Sequence, residues 1–239
     1  MAVPLALVTG GAHRLGKAFA LALARRGNAI ALHYHSSANE ARQAAKEIRA
    51  LGVPAHLLRA DLTNPKSIAR LFAALDRLDD HLTVLVNSAA CMPAGRPREV
   101  SAEAWDSVLD LNLRAPLLVA QEAAKRMREG GVIVNVTDVG AQKAWSRYVS
   151  YTVSKAALES LTRVLARALA PSIRVNAIAP GLVLRSRAVS REEWIRLISR
   201  LPLRRAATTA EITSALEFLL QNEYVTGQTI VVDGGYSLL

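Results

Sequence analysis

The chain has 239 residues and is 51% hydrophobic, which is enough for one large α/β domain or two small ones with a packed core. Its formal net charge of +10 suits a phosphorylated or carboxylated small molecule, but the arginines are scattered in short groups without a basic tail, which disfavours nucleic acid. A lone cysteine, Cys91, excludes an intrachain disulfide and a thiolate metal cluster, and no apolar run reaches the roughly 18 residues of a membrane span. We therefore expect a cytoplasmic protein with a small-molecule substrate and without a metal, nucleic-acid or membrane partner.

The first predicted strand, Leu5 to Thr9, is followed at once by a glycine-rich turn. This turn reads Gly10-Gly-Ala-His13-Arg14-Leu15-Gly16, and it leads into an alanine-rich helix that we predict from Lys17 to Arg26. Strand, glycine turn and helix form the context of a dinucleotide fingerprint, because glycines let the backbone approach a pyrophosphate and the helix N-terminus offers it free N–H groups. A glycine turn is often only a turn, but its place at the start of an alternating pattern favours cofactor binding.

The end of the second predicted strand, Asn28 to Tyr34, indicates which nicotinamide cofactor is bound. An acidic residue there binds the ribose hydroxyls of NAD, whereas this chain has His33-Tyr34-His35-Ser36-Ser37. Hydroxyl and imidazole groups, with nearby Arg14, can donate hydrogen bonds to the 2′-phosphate of NADP. The sequence therefore favours NADP, and the alternative is that His33 and His35 are strand residues without a ligand.

The middle of the chain continues the alternation of helices and strands. We predict a helix over Ala38 to Leu51, a strand over His56 to Arg59 ending at Asp61, a helix from Asn64-Pro65 to Leu78, and a strand over Thr83 to Val86. The last of these strands ends in Asn87-Ser88-Ala89-Ala90, whose small size allows a cofactor to lie close.

A proline-rich loop, Met92 to Pro97, precedes a long helical stretch from Ser101 to Met127 that we expect to be interrupted near Asn112 and Pro116. Asn112 has apolar neighbours, so that it either lines a proton path or bonds to the backbone. The fifth predicted strand, Val132 to Val136, ends just before Asp138, where open α/β sheets bind their ligands.

Tyr151 and Lys155 lie one turn apart in the next predicted helix, Ser150 to Leu169. A nearby ammonium favours the phenolate, and we expect Lys155 to lower the pKa of Tyr151 from its usual value of about 10 toward neutrality, as a general acid requires. Two residues at this spacing usually belong to an ordinary helix surface, so that the pair indicates a catalytic site only together with the other motifs of the chain.

The C-terminal part contains a sixth predicted strand, Ile173 to Ile178, followed by Pro180-Gly181. The segment Leu182 to Ala207 has a capping-box helix beginning at Ser190 with Glu193, and we interpret this segment as a substrate loop inserted over the site. A second capping box, Thr208 with Glu211, opens a helix to Gln221, and Gln228 to Val232 is the last predicted strand.

This alternation predicts a single α/β domain over residues 1–239, with a doubly wound parallel sheet of about seven strands and helices on both faces. The motifs described above all follow strands, so that they meet at one edge of the sheet and form one active site.

The glycine turn, Asn87, Asn112, Tyr151-x-x-x-Lys155 and Pro180-Gly181 occur in the order found in the short-chain dehydrogenase/reductase family, which the sequence resembles over essentially its entire length. The resemblance implies a Rossmann fold, hydride transfer from a nicotinamide, a homotetramer, and three catalytic residues. Tyr151 would donate a proton, Lys155 would hold the ribose and lower the tyrosine pKa, and Asn112 would belong to a water-mediated proton relay. The implied cofactor residues are Gly10, His13, Arg14, Leu15, Gly16, His33, Tyr34, His35, Ser36, Asp61, Leu62, Asn87, Ser88, Ala89, Thr137, Tyr151, Lys155, Pro180, Gly181 and Leu182.

Two departures from the common pattern of that family carry further information. Arg14 occupies the middle glycine position of the turn, and Asp138 stands thirteen residues before the tyrosine, where serine is usual. Both departures resemble the pteridine and dihydromonapterin reductases, in which the arginine contacts cofactor phosphate and pterin and the aspartate helps the tyrosine to protonate the ring. Tyr148 matches a substrate-site tyrosine of that subfamily. The alternative for Asp138 is a loop carboxylate without a catalytic role.

An aspartate in place of serine at position 138 agrees with pterin reduction, because reduction of a ring imine requires a proton at nitrogen as hydride reaches carbon. These reductases place an aromatic ring after the fourth strand, where this chain has Cys91-Met92-Pro93; Met92 could cover a flat ring, and Trp145 either substitutes for the aromatic or packs under the loop. The predicted function is NADPH-dependent reduction of a dihydropterin or dihydrofolate at a substrate site containing Arg14, Met92, Asp138, Trp145, Tyr148 and Tyr151. The alternatives are a carbonyl reductase such as a 3-oxoacyl thioester reductase, and a non-catalytic NADPH-binding sensor.

Overall fold

A computed structural model of the protein describes residues 3–78, 80–127, 130–186 and 189–239. The strands are β1 (Pro4–Thr9), β2 (Ala29–Tyr34), β3 (Ala55–Arg59), β4 (His81–Asn87), β5 (Gly131–Val136), β6 (Ile173–Pro180) and β7 (Thr229–Val232). They form one parallel sheet in the order β3-β2-β1-β4-β5-β6-β7, in which the direction of winding reverses between β1 and β4. This confirms the predicted fold class, a doubly wound α/β sheet.

The α-helices are α1 (Arg14–Arg25), α2 (Ala38–Arg49), α3 (Pro65–Leu75), α4 (Ala102–Leu109), α5 (Ala115–Ala124), α6 (Val149–Leu169), α7 (Arg191–Arg200) and α8 (Thr209–Gln221). Helices α1, α2 and α8 contribute to the apolar cluster on one face of the sheet, and α3, α5 and α6 contribute to the cluster on the other face. The central strands are therefore apolar along almost their whole length, as expected for a parallel sheet that is covered on both sides.

Local capping explains where several helices begin. The side chain of Asn64 accepts a hydrogen bond from the Lys66 N–H at the start of α3, and Thr208 and Glu211 form a reciprocal capping box at the start of α8. At α7 the Ser190 hydroxyl accepts from the backbone N–H of Glu193. These starts agree with the predictions. Residues 187 and 188 of the predicted substrate loop lie outside the described residues.

Helix α1 begins three residues earlier than predicted, at Arg14 instead of Lys17. Gly16 therefore lies in the first turn of the helix, where an added Cβ would collide with the carbonyl oxygen of Gly10. The third glycine of the motif thus serves close packing of helix against strand, which the turn-based prediction overlooked.

The long helical stretch is interrupted as expected near Asn112. A π-helical segment, Asp110–Arg114, separates α4 from α5, and Asn112 lies fully buried at its centre. Such segments place a side chain out of the ordinary helical register, and they are frequent at functional sites.

Candidate active site

A cavity of about 1060 Å³ opens at the carboxyl ends of the strands, where the polar residues predicted from the sequence were expected to meet. This volume is at the upper end of the roughly 300–1,000 Å³ typical of small-molecule sites, and it suits a dinucleotide together with a substrate. The predicted residues that line it are Gly10, His13, Arg14, Leu15, Gly16, His33, Tyr34, His35, Ser36, Asp61, Leu62, Ser88, Ala89, Met92, Thr137, Asp138, Trp145, Tyr148, Tyr151, Lys155, Pro180, Gly181 and Leu182. Asn87 and Asn112 are not among the lining residues.

The glycine turn is shaped to receive a pyrophosphate. Gly10 has a φ of +63°, and a Cβ there would lie 2.9 Å from the Cα of Ala89, so that only glycine fits between the two loops. At the N-terminus of α1, His13 makes no side-chain capping bond, which leaves the N–H groups of the first turn for a ligand. The residues present therefore fit a dinucleotide.

His33 holds the glycine turn in place by hydrogen bonds. Its Nδ1 accepts the Gly10 N–H at 3.1 Å, its Nε2 lies 3.1 Å from the Ala60 carbonyl oxygen, and its own carbonyl accepts the Gly11 N–H at 3.0 Å. Because Gly10 can only donate and Ala60 can only accept, these partners assign the neutral tautomer with hydrogen on Nε2. Burial lowers the pKa of His33 to about 4.

The prediction that His33 donates to a 2′-phosphate therefore needs correction, because both of its ring nitrogens bond to the protein. The neighbouring His35 and Ser36 are exposed, and Tyr34 is half-buried. Asp61, across the cavity edge, accepts from the Thr63 N–H and hydroxyl, and these bonds lower its pKa.

Thr9 fixes the loop that follows β4. Its hydroxyl oxygen accepts the N–H groups of Ser88 at 3.0 Å and Ala89 at 3.1 Å. The loop after β1 and the loop after β4 are thereby held together at the centre of the sheet, where the strand order reverses. This is the place at which doubly wound sheets bind their ligands.

Asp138 and Tyr151 are directly hydrogen-bonded inside the cavity. The Tyr151 hydroxyl donates to Asp138 Oδ2 at 2.8 Å, and the Gly140 N–H donates to Asp138 Oδ1 at 2.7 Å. Burial raises the pKa of the Asp138 carboxyl, and burial together with the Asp138 charge raises the pKa of Tyr151 well above its usual value. Each group therefore holds its proton more strongly than it would in water.

Lys155 lies one helical turn from Tyr151, as the spacing predicted, but it does not lower the pKa of the phenol in this structure. Its Nζ donates to the Val136 carbonyl at 2.7 Å and lies 5.8 Å from the centre of the Tyr151 ring. Burial lowers the pKa of Lys155 itself to about 8. The predicted lowering of the tyrosine pKa is wrong here, because the closer influences on the hydroxyl are burial and the Asp138 carboxylate.

The side chain of Asn112 bonds to the backbone, one of the two roles left open by the sequence. Its Oδ1 accepts the Cys91 N–H at 2.9 Å, and its Nδ2 donates to the Cys91 carbonyl at 2.9 Å and to the Ser154 hydroxyl at 3.1 Å. Asn112 thus holds the loop after β4, and its part in a water-mediated relay stays a prediction.

Asn87 also lies behind the cavity. Its Nδ2 donates to Asn135 Oδ1 at 3.0 Å, and Asn135 in turn donates to the Thr162 hydroxyl at 2.9 Å. The side chain of Asn87 thus belongs to a buried polar network between β4, β5 and α6, and its contact with the cofactor stays a prediction. Such networks are stabilising only when their members are satisfied, as these amides are.

The substrate side of the cavity is built from loops. Trp145 packs against Gly140, where an added Cβ would lie 2.6 Å from the indole, and its ring centre is 6.0 Å from that of Tyr236. Trp145 therefore both lines the cavity and supports the loop that carries Asp138. Met92 is 43% exposed at the mouth, and Tyr148 is half-buried beside it.

Arg14 connects the glycine turn to the predicted substrate loop. Its backbone has a φ of +53°, and its guanidinium donates to the carbonyl oxygens of Leu184 at 2.7 Å and Arg185 at 3.2 Å. The structure thus shows Arg14 lining the cavity and holding this loop.

A family model described as enoyl-(acyl carrier protein) reductase matches residues 10–237. The chain belongs to the short-chain dehydrogenase/reductase family. It is accordingly an NAD(P)-dependent oxidoreductase. This match agrees with the resemblance drawn from the sequence, which rested on the glycine turn, Tyr151 and Lys155 in this order.

Three relatives of this short-chain dehydrogenase/reductase show how far the likeness extends. An uncharacterized oxidoreductase of Escherichia coli, YgfF, is 34% identical over 97% of this chain and 99% of its own length. The 3-oxoacyl-[acyl-carrier-protein] reductase FabG of Staphylococcus epidermidis is 30% identical over 96% of this chain and 97% of its own. The structure of FolM alternative dihydrofolate reductase 1 from Brucella canis, complexed with NADP, superimposes with a TM-score of 0.93 at 36% identity, over 99% of this chain and 94% of that one.

Sequence reasoning missed several residues of this short-chain dehydrogenase/reductase that line the cavity. Trp194 and Leu197 reach it from α7, and Tyr236 reaches it from the C-terminal 3₁₀ turn. The amphipathic spacing of α7 could have indicated Trp194 and Leu197, whereas no local signal placed the C-terminal end near Asp138.

Within the described ranges there is no cluster of three His, Cys, Asp or Glu side chains suited to a metal, and no described helix is long and apolar enough to cross a membrane.

Proposed function

We propose that the protein is an NADPH-dependent pteridine reductase-like enzyme that reduces a dihydropterin or dihydrofolate. The observation that carries this proposal is the 2.8 Å hydrogen bond from the Tyr151 hydroxyl to Asp138 Oδ2. A carbonyl reductase needs one acid, whereas reduction of an imine in a heterocycle benefits from a second acid that can anchor and protonate ring nitrogens. The likeness to the Brucella FolM structure supports the same substrate class.

The cofactor half of the cavity supports NADPH as the reductant. The N-terminus of α1 would hold the pyrophosphate and Lys155 the ribose, while His35, Ser36 and Arg14, which line the cavity, would bind a 2′-phosphate. No carboxylate follows β2 to bind a ribose 2′-hydroxyl or to repel a phosphate. When bound, NADPH supplies a hydride to a ring carbon of the substrate.

The side chains of the protein then manage the proton. The Tyr151 hydroxyl donates to Asp138 Oδ2 within the cavity. The raised pKa of Asp138 brings its carboxyl closer to the operating pH, which suits a general acid, whereas the raised pKa of Tyr151 keeps the phenol protonated and makes it the weaker acid of the pair. A proton passes from this pair to a ring nitrogen, and the negative charge left on the pair is stabilised by the Gly140 N–H and by the nearby Lys155 ammonium. Trp145 packs against Gly140, whose N–H bonds this carboxyl.

A second candidate is a 3-oxoacyl thioester reductase, which is supported by the relatives of that name at 30–31% identity. An enzyme of that kind is expected to have serine at position 138 and glycine at position 14, and this chain has Asp138 and Arg14. The proposed pterin or folate reduction accounts for both residues, and the thioester reduction accounts for neither.

Steady-state NADPH oxidation with dihydrobiopterin, dihydrofolate and an acetoacetyl thioester, measured side by side, tests the proposal. We expect turnover of at least one of the two pterin compounds and a kcat/KM for the thioester at least about 100-fold lower, because an interaction made only with one substrate class is worth several kcal/mol. Turnover of the thioester alone would contradict the proposal. Replacing NADPH with NADH should lower kcat/KM, and a preference for NADH would contradict the assigned cofactor.

We also propose that the enzyme is a cytoplasmic homotetramer. Helix α6 exposes Val153 and Val164, of which Val164 is 61% accessible, and apolar side chains on a helix surface favour contact with another subunit. Light scattering of the purified protein tests this assembly. A mass equal to one chain would contradict it.

A further inference from the structure

The mouth of the cavity has a basic rim, which we define as residues 92–98 together with residues 142–148. These two stretches contain Arg96, Arg98, Lys143 and Arg147 but no aspartate or glutamate. They form one unit, because the Gly95 N–H donates to the Arg147 carbonyl at 2.8 Å and the Gly95 carbonyl accepts from Val149 at 3.2 Å. The backbones of the two stretches are therefore held together; Arg147 lines the cavity, and Arg96 and Arg98 lie outside its lining.

Three of these four cations are available to a ligand. Lys143 is engaged, because its Nζ donates to the carbonyls of Tyr236 and Leu239. Arg96, Arg98 and Arg147 are exposed, and in the described part of the chain no ion pair joins any of them to a carboxylate, although Glu99 directly follows Arg98.

The basic rim is continuous with the proposed substrate site. Arg147 itself lines the cavity, and its guanidinium carbon lies 5.9 Å from the ring centre of Tyr148. Met92, at the other end of the rim, lines the same cavity. Among the described residues, three carboxylates line the cavity: Asp138 bonds to Tyr151, Asp61 bonds to Thr63, and Glu193 lies in the first turn of α7, outside the basic rim. A substrate whose ring lies at Asp138 would thus extend a side chain outward toward positive charge.

We propose that the basic rim is a subsite for an anionic tail, and that the preferred substrate is a reduced pterin carrying glutamyl carboxylates, as dihydrofolate does, instead of one with a neutral polyhydroxyl side chain. This inference rests on the proposed function and specifies its substrate class. Exposed guanidinium groups attract carboxylates over about a Debye length, roughly 10 Å at 0.1 M salt, so that further glutamates on the tail add to binding.

The test compares dihydrobiopterin with dihydrofolate bearing one or three glutamates, in the wild type and in the variant Arg96→Gln/Arg98→Gln/Arg147→Gln. We expect the wild-type kcat/KM to rise with the number of glutamates, and this rise to shrink in about 0.5 M NaCl. In the triple variant the ratio of kcat/KM for the triglutamate to that for dihydrobiopterin should fall about tenfold, which corresponds to about 1.4 kcal/mol.

A matched control, Arg70→Gln/Arg77→Gln/Arg167→Gln, removes the same charge from exposed positions that do not line the cavity, and it should leave that ratio unchanged. An unchanged ratio in the rim variant would overturn the subsite, as would an equal loss for dihydrobiopterin and the triglutamate. If the wild type turns over neither pterin compound, the proposed function itself fails, and the inference fails with it.

Discussion

The two halves of the cavity are built in different ways. The cofactor half, formed by the glycine turn, Thr9, His33 and the loop after β4, is held by buried hydrogen bonds between neighbouring strands. The substrate half, formed by the basic rim, residues 182–186 and α7, consists mostly of exposed loops at the mouth. We infer that the fold fixes the position of the cofactor, whereas a few surface loops determine which substrate is reduced.

The same substitution in the two halves should have very different effects. In Gly16→Ala the added Cβ collides with the Gly10 carbonyl, so that the turn must move and NADPH affinity should fall on the order of 100-fold, about 3 kcal/mol. In Gly95→Ala the new Cβ meets its nearest neighbour, Val100 Cγ2, at an ordinary 3.5 Å, and NADPH affinity should be unchanged. Fluorescence titration with NADPH measures both. Equal affinities for the two variants would contradict the rigid cofactor half.

Acid should weaken the cofactor half through His33. Its pKa of about 4 in the folded state lies below the unfolded value of 6.5, so that the unfolded chain binds the proton first as the pH falls. The stabilisation that results from keeping this histidine neutral is complete above pH 6.5 and is lost progressively between pH 6.5 and 4. For a shift of about 2.5 units the loss is on the order of 3 kcal/mol, measurable by urea unfolding at several pH values.

The variant His33→Leu isolates this contribution. It should be less stable than the wild type at pH 7 by about 1–3 kcal/mol, because the Gly10 N–H and the Ala60 carbonyl lose their partner. The difference in stability between the two proteins should shrink as the pH falls toward 4. His35→Leu, at an exposed position two residues on, serves as the control and should retain the wild-type dependence. A constant difference between wild type and His33→Leu across this range would refute the assigned role.

The substrate half should tolerate change. Met92 is exposed at the cavity mouth, so that Met92→Phe can be accommodated without repacking a core. The pteridine reductases that the sequence resembles have an aromatic ring at this place. A stacking ring contributes about 0.5–1.5 kcal/mol, which predicts a two- to tenfold lower KM for dihydrofolate. NADPH affinity should not change. An increase in KM would show that Met92 already covers the substrate better than a ring does.

The sequence predicted the parts of the site that are local to one strand end or one helix. Asp138 follows β5, and Tyr151 and Lys155 share one face of α6, so that strand order and helical spacing were enough to bring them together. His33 was misassigned, and the bonds of Asn112 could not be specified, because the roles of both side chains depend on partners far along the chain, Gly10 and Cys91. A pattern shows that such a residue is polar and buried, but it does not show which backbone group it bonds.

The contributions to the substrate half were the least predictable. Tyr236 lies 85 residues after Tyr151 in the sequence, and it reaches Trp145 only because β7 places the chain end beside the cavity. The pKa of Tyr151 was also mispredicted, since the helix spacing revealed the nearby cation but neither the burial nor the hydrogen bond to Asp138. Tertiary contacts decide both features.

The proposed function requires Asp138 and Tyr151 to deliver the proton together. The most direct measurement is kcat for dihydrofolate in Asp138→Ala and Tyr151→Phe, with Asp106→Asn, on the exposed surface of α4, as the control. The account predicts that both site variants lose about 10²–10⁴-fold, within about tenfold of each other, while the control retains wild-type activity. An Asp138→Ala enzyme that reduces dihydrofolate at the wild-type rate, beside an inactive Tyr151→Phe enzyme, would contradict the claim.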